Sequence, residues 1–311
     1  MARSLGLVFL GNDRWSVPSL RAIAASGHRV IRVVTRVPKP AGRGNALTPT
    51  PVATAAREAD LPLLEVETVK EGPGLDALRA DAPDVLVVVA YGEILPPRVL
   101  SLSIVAPVNL HFSLLPRFRG ASPVQTALLE GVRETGVTTI VMDEGMDSGA
   151  VLLQRPEPVR PDDDAGSLGD RLAEAGAGLL VESLERLAAG DVEPTPQDES
   201  RATFTTPIRA ADRILRWDAP ARALVNRVRA MAPEPGASTA FRGEPLKVLR
   251  AETTDAGGEP GTIAAVDADG FVVATADGGL RPLELAPAGR KRMRGADFVN
   301  GYRPAAGERL G

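Results

Sequence analysis

Asp84-Val85-Leu86-Val87-Val88-Val89-Ala90 is apolar without interruption after its first residue. A strand with one wet face alternates polar and apolar side chains, whereas a strand covered on both faces does not. These seven residues therefore read as a central strand of a parallel sheet with helices above and below. Upstream the chain alternates in the same rhythm. LGLVFLG (5–11) is a first strand, VPSLRAIAAS (17–26) a helical pattern closed by Gly27, and HRVIRVVT (28–35) a second strand. Residues 36–51 are rich in Gly and Pro and are expected to lack regular structure. A helix over 52–60, a strand around 61–66 and a helix around 74–81 lead back to the central strand. Downstream, VNLHFSLLP (108–116) and TGVTTIVMD (135–143) extend the sheet. The pattern is α/β, a Rossmann-like doubly wound sheet.

The longest helical pattern is 167–190, with leucines at 168, 172, 179, 180, 184 and 187. DVEPTPQDES then loses all periodicity, and residues 191–208 are expected to link two domains. Beyond 209 a short helix precedes hairpin-like strands. Arg242-Gly243, Asp269-Gly270 and Asp277-Gly278 are the turn candidates. Short strands joined by Gly turns suggest a small OB-like β-barrel. The expected organisation is 1–190, a Rossmann-like catalytic domain; 191–208, a linker; and 209–311, the barrel.

Composition narrows the chemistry. Cysteine is absent, which excludes disulfides, thiolate metal sites and a cysteine nucleophile. The residues offer no convincing metal-ligand cluster, so no metal is expected. No apolar run approaches the length of a membrane span, and LGLVFLG reads as a strand rather than a signal peptide. A cytoplasmic, monomeric protein is expected. Imidazole chemistry has two candidates, His28 and His111. The formal net charge is −4, yet residues 206–311 hold 16 basic and 13 acidic residues. A mildly basic C-terminal part on an acidic protein hints at a polyanionic partner.

Two stretches carry chemistry. Asn109 and His111 stand two apart on an extended strand, so their side chains point the same way. In open α/β sheets ligands gather at the carboxyl ends of strands. An amide and an imidazole side by side can donate to one developing oxyanion, although a polar strand end with a solvated histidine fits the spacing equally well. In Met142-Asp143-Glu144-Gly145-Met146-Asp147-Ser148-Gly149, glycines flank Asp147, as suits a tight loop presenting a carboxylate. Asp147 can hold an imidazole in one tautomer, keep it cationic or relay a proton. Asp143 and Glu144 fit an acidic surface turn.

Together, NLHFSLLPRFRG (109–120) and MDEGMDSG (142–149) resemble the signature pair of the folate-dependent formyltransferases. The family's catalytic Asn, His and Asp fall on Asn109, His111 and Asp147. AYGEILP (90–96) is similar to a folate-pocket region, which places Tyr91, Gly92, Ile94 and Leu95 on the folate side with Ser113, Leu114, Leu115 and Pro116. KPAGRG (39–44) resembles the loop that the tRNA-acting members insert into the acceptor arm, with Arg43 on its key arginine. The resemblance also gives the C-terminal barrel a tRNA-binding role, with Arg290, Lys291, Arg292 and Arg294 as its cationic cluster. It implies formyl transfer from 10-formyltetrahydrofolate to the methionyl amino group of initiator methionyl-tRNA. Four departures stand out: Phe112 in place of Gly, FLGNDRW (9–15), ATFTTPI (202–208) and APEPGA (232–237). A sugar-nucleotide amine as acceptor is the alternative within the family. A nucleotide-dependent oxidoreductase lacks its GxGxxG, since Gly11 stands alone, and a noncatalytic RNA binder has no use for the trio.

Overall fold

The apolar runs assemble in a computed structural model that describes residues 3–41 and 46–311. Its contacts form two units. The first comprises Met1–Pro123, Glu134–Pro158 and Gly169–Thr205, and the second Val124–Arg133, Val159–Leu168 and Thr206–Gly311.

In the first unit, seven strands form one sheet: β1 (Gly6–Gly11), β2 (Arg29–Arg36), β3 (Leu63–Val66), β4 (Val85–Val89), β5 (Ala106–His111), β6 (Glu134–Val141) and β7 (Val151–Pro158). Their order is β7-β6-β5-β4-β1-β2-β3. The five strands from β3 to β5 run parallel, and β6 and β7 add antiparallel pairs. The chain builds outward from β1 to β3, then returns to β1's other side with β4. That reversal is the switch point at which a Rossmann-like sheet opens a crevice beyond its strand ends. Every residue of β1 and β4 is buried, as the unbroken apolar run requires. Helices α1 (Val17–Ala24), α2 (Pro51–Glu58), α3 (Gly72–Asp81), α4 (Pro97–Leu100) and all but the first turn of α6 (Ala165–Ala189) complete the α/β pattern, whereas α5 (Pro123–Leu129) falls in the second unit after its first residue. Thr50 starts α2 by accepting from Ala53 N–H at 3.0 Å. One core joins Val8, Leu10, Val34, Leu86 and Val88 of the sheet to Leu75 and Leu78 of α3. Burying each such side chain stabilises by roughly 1.5–3 kcal/mol.

Two segments differ from expectation. Within 36–51, Lys39–Ala41 pairs with Ala46–Thr48 as a small ribbon, which tolerates Pro40 because both strands are edges. Residues 191–205, expected as linker, belong to the first unit. Thr195 bridges Val151, and Phe204–Thr205 pairs with Arg119–Gly120. A polar, proline-bearing composition announces the loss of periodicity, not the loss of contacts.

In the second unit, β8 (Ala237–Phe241), β9 (Glu244–Thr254), β10 (Ile263–Asp267), β11 (Gly270–Ala274) and β12 (Gly279–Pro287) form an antiparallel sheet in the order β8-β9-β12-β11-β10. Arg242 and Gly243 join β8 to β9 with φ of 49° and 81°, the two positive values a two-residue hairpin turn favours. Leu310 bridges Phe241 at one edge, and Arg309 bridges Thr262 beside the other. This ring of pairings is compatible with the expected OB-like barrel. Phe298 of α8 (Gly295–Tyr302) packs on Phe241, Phe271 and Tyr302, with ring centroids 4.5–5.4 Å apart. The remaining helix, α7 (Ala221–Met231), carries the half-buried Arg229. Its guanidinium donates to the main-chain oxygens of Asp163 (2.7 Å) and Arg160 (2.6 Å).

Candidate active site

β5 ends at His111, on the carboxyl edge of the parallel strands, and its pleat sets Asn109 and His111 on one side. The β6–β7 loop brings Asp147 to them. Its carboxylate faces both: Asn109 Nδ2 donates to Oδ1 at 3.5 Å, and His111 Nδ1 lies 3.5 Å from Oδ2. Gly120 N–H makes the shorter bond to Oδ2, 2.7 Å. Asn109 and His111 are buried, with 9% and 6% of their surface exposed, so these contacts act in a medium less screening than water.

The second ring nitrogen settles the histidine's tautomer. His111 Nε2 lies 2.9 Å from the Phe118 main-chain oxygen. A carbonyl can only accept, so Nε2 carries a proton and donates it. Nδ1 is then the ring nitrogen that faces the Asp147 carboxylate. A protonated Nδ1 forms an ion pair there, whereas a neutral one turns its lone pair toward a carboxylate.

Asp147 itself sits at φ 51°, a left-handed conformation that Asp tolerates better than most residues. Gly149 is required beside it, since a Cβ there would meet the Val141 oxygen at 1.8 Å. Asp143 shapes the turn by accepting from Gly145 N–H and Ser148 Oγ, at 3.0 and 2.8 Å. The other histidine is far from this chemistry: His28 Nδ1 accepts from Leu5 N–H at 3.3 Å, and burial lowers its pKa.

The residues expected on the folate side divide by burial. Tyr91 and Leu95 belong to the hydrophobic core. Burial, with the Glu93 carboxylate nearby, pushes the Tyr91 phenol's pKa up. Gly92 is open at φ 74°, and Ile94 is 71% exposed. Asn12 secures this segment. Its amide donates to the Tyr91 oxygen, and its own oxygen accepts from Thr35 Oγ1 (2.9 Å) and Arg36 N–H (2.8 Å). Ser113 is fully buried, and its hydroxyl donates to the Arg117 oxygen at 2.6 Å. Leu115 is buried and tied through its main chain to Thr138 and Gln154. Leu114 lies against Gly136, and Pro116 accepts from Thr203 N–H. The side chains of Tyr91, Leu95, Ser113 and Leu115 are thus engaged within the protein, because short apolar segments at sheet ends are absorbed by the core. Two departures prove to be one: Phe112 packs on Trp15 of FLGNDRW, with centroids 6.0 Å apart. Trp15 in turn lies on Gly169 and donates to Asp170 at 2.9 Å.

Arg119, which no local sequence signal singles out, is a buried cation, 2% exposed. It donates to the Gln197 side-chain oxygen (2.8 and 3.1 Å) and to Glu199 (2.7 and 2.9 Å). Only its place in RFRG, one residue before the glycine that binds Asp147, could have flagged it.

Arg43 falls outside the described residues. Arg290, Lys291, Arg292 and Arg294 are all exposed. Arg292 faces Glu284 at 3.8 Å and Arg294 pairs with Asp297 at 3.1 Å. Among the described residues no group of three or more His, Asp or Glu is arranged to hold a metal ion. Among the described residues no helix is long and apolar enough to cross a membrane.

The Formyl transferase family model matches residues 6–184, and the model for the Formyl transferase C-terminal domain matches 207–303. The chain belongs to the formyl transferase family. This formyl transferase is 42% identical over 307 residues to methionyl-tRNA formyltransferase of Moorella thermoacetica, covering 98% of this chain and 99% of the relative. To methionyl-tRNA formyltransferase of Thermus thermophilus it is 44% identical over 305 residues, with 98% and 99% covered. Among solved structures, HypX from Aquifex aeolicus in complex with tetrahydrofolic acid superposes with a TM-score of 0.66 at 19% identity. That likeness covers 98% of this formyl transferase, which spans about half (49%) of HypX. The N-formyltransferase from Helicobacter canadensis, in complex with folinic acid and dTDP-3-aminofucose, gives 0.66 at 17% identity, covering 92% and 99%. Both likenesses concern the fold.

Proposed function

We infer that this chain transfers the formyl group of 10-formyltetrahydrofolate to the α-amino group of methionine esterified to initiator tRNA, giving N-formylmethionyl-tRNA. Identity above 40% along nearly the whole length of methionyl-tRNA formyltransferases supports the acceptor. The observation that carries the chemistry is the network in which Asn109, His111 and Gly120 all face one carboxylate, Asp147.

The amine nitrogen attacks the formyl carbon, and the carbonyl electron pair moves to oxygen. Asn109 has a second amide hydrogen to offer that oxyanion, and cationic His111 offers Nδ1–H. Asp147 sustains the imidazolium and helps move the proton released by the attacking amine. The bond to folate N10 then breaks, its electron pair returns to N10, and tetrahydrofolate leaves with the proton. Direct transfer suits a chain without cysteine.

In this reading Tyr91, Gly92, Ile94 and Leu95 line the folate side with Ser113, Leu114, Leu115 and Pro116. The open Gly92 and exposed Ile94 offer surface, and the buried members hold its shape. Arg43 and the Arg290, Lys291, Arg292, Arg294 cluster contact the tRNA. The enzyme acts as a cytoplasmic monomer.

The test is transfer of a radiolabelled formyl group from 10-formyltetrahydrofolate to charged initiator tRNA, with elongator methionyl-tRNA and a sugar-nucleotide amine in parallel. Rapid labelling of the initiator is expected. Efficient formylation of the sugar nucleotide with none of the tRNA would overturn the assignment.

A further inference from the structure

Residues 195–205 carry no periodic pattern, yet they are stitched to the strand that follows the Asp147 loop and to the segment that carries Gly120. Thr195 exchanges two main-chain hydrogen bonds with Val151, each 2.8 Å, just beyond the loop. At the other end, Thr203 binds the segment that carries Gly120. Its hydroxyl accepts from Phe118 N–H and its main-chain oxygen from Arg119 N–H, both at 2.8 Å. Thr205 Oγ1 accepts from Ser122 N–H at 3.0 Å.

Gln197 stands between these anchors. Its amide nitrogen donates to the main-chain oxygens of Asp147 (2.8 Å) and Gly149 (2.7 Å). Its amide oxygen accepts twice from Arg119, at 2.8 and 3.1 Å. The carbonyls require a donor and the guanidinium an acceptor, so the orientation of the amide is determined. Arg119 cannot drift, because a buried cation stays only where its hydrogen bonds are met.

We propose that Gln197 is a positioning residue for Asp147, and that residues 195–205 are a strap setting the carboxylate against Asn109 and His111. Gly120 N–H fixes Asp147 at Oδ2. Gln197 fixes the peptide planes after Asp147 and Gly149. Between these constraints the left-handed φ of Asp147 is held, and with it the 3.5 Å approach to His111. Glutamine is suited to the place because it alone among side chains of this length donates twice to carbonyls while accepting from a cation. The proposal rests on the catalytic reading of Asp147, and its test separates the two.

The experiment compares full-length Gln197→Met, Gln197→Glu and Asp147→Asn with the parent enzyme. It reads kcat, KM for 10-formyltetrahydrofolate and for methionyl-tRNA, and Tm. Gln197→Met removes every polar contact at nearly constant volume. Gln197→Glu keeps the acceptor for Arg119, and so the buried anchor, but loses both donors to the loop. Each Gln197 variant is expected to lose about 10- to 100-fold in kcat, the scale of a reacting group displaced by about an ångström. Both KM values should stay within about twofold, and Tm checks that each variant is folded under the assay conditions. Where Gln197→Met does not fold, Gln197→Glu decides. Parent-like kcat in Gln197→Glu beside an inactive Asp147→Asn overturns the strap and leaves Asp147 catalytic. A loss confined to Tm or KM also overturns it, because that is scaffolding alone. Parent-like turnover in Asp147→Asn overturns the role of Asp147, and the strap with it.

Discussion

The surroundings of Asp147 and the basic ridge at 290–294 are built on opposite terms. Around Asp147, each polar contact has a specific partner at a set distance, and the cation nearest its scaffold, Arg119, is buried. Along the ridge, four exposed cations stand within five positions, and two of them face carboxylates that any polyanion must compete with. Bond-making needs dipoles aimed in advance, because reorientation during the reaction adds to the barrier. Holding a phosphate backbone needs charge at the right density, and its geometry stays loose. The first region should therefore respond to single atoms, and the second to the count of charges.

The largest effect that can break this contrast is at His111. His111→Ala should cut turnover by about 100-fold or more, the scale of one lost oxyanion donor, while both KM values change little. Steady-state kinetics with saturating initiator tRNA check it. Activity within a few-fold of the parent would place the two regions on equal terms.

Of intermediate size is the response of the ridge. Neutralising Arg290 and Lys291 together should lower the slope of log affinity against log salt by about 1.4–1.8 units, at about 0.7–0.9 per phosphate contact. Arg292→Ala and Arg294→Ala should each lower it by less, because Glu284 and Asp297 already offset part of their charge. Binding titrations across a salt series distinguish these cases. Equal effects at all four positions would show that the intramolecular pairs do not compete.

The smallest effect is expected at a surface charge pair, which contributes only where its carboxyl is ionised. Asp267 accepts from Arg281 at 2.7 Å, and that bond holds its carboxyl at about 2. A depressed folded-state pKa contributes stability above the unfolded value, near 4, which is lost as pH falls toward about 2. Asp267→Asn should lower Tm slightly at neutral pH, and its difference from the parent should vanish as pH falls through that window, flattening the acid side of a Tm-against-pH curve. High salt should shrink the difference, since both groups are solvent-accessible.

How much of this was legible in sequence depends on the range of the interaction. DVLVVVA reads as a doubly covered strand from its own residues, and β4 is that strand. The pattern over 167–190 likewise gives α6 to within two residues. VLLQRPEP carries no clear strand pattern, because two prolines interrupt it; as β7 it is the sheet's edge, where a missing N–H costs little. Asn109 and His111 were readable as a pair because a strand's period sets two side chains together. The resemblance then added Asp147, from 36 residues further on. Arg119 and Gln197 carry no such local mark. Their meaning lies in a contact across 78 positions of chain. Tyr91 and Leu95 show the converse, since a matched motif does not reveal which of its members the core takes.

The second unit draws on three separate stretches of chain. Residues 206–311, transplanted as a module, would leave behind the Arg160 and Asp163 oxygens that receive Arg229. They would also lose Gly131, whose missing side chain lets Asn226 approach to where a Cβ would stand 2.6 Å from its amide. A recombination joint placed at 206 would thus divide one folded body between two parents. Chimaeras of this formyl transferase should tolerate crossovers that keep 124–133, 159–168 and 206–311 from a single donor, and lose yield when they mix them.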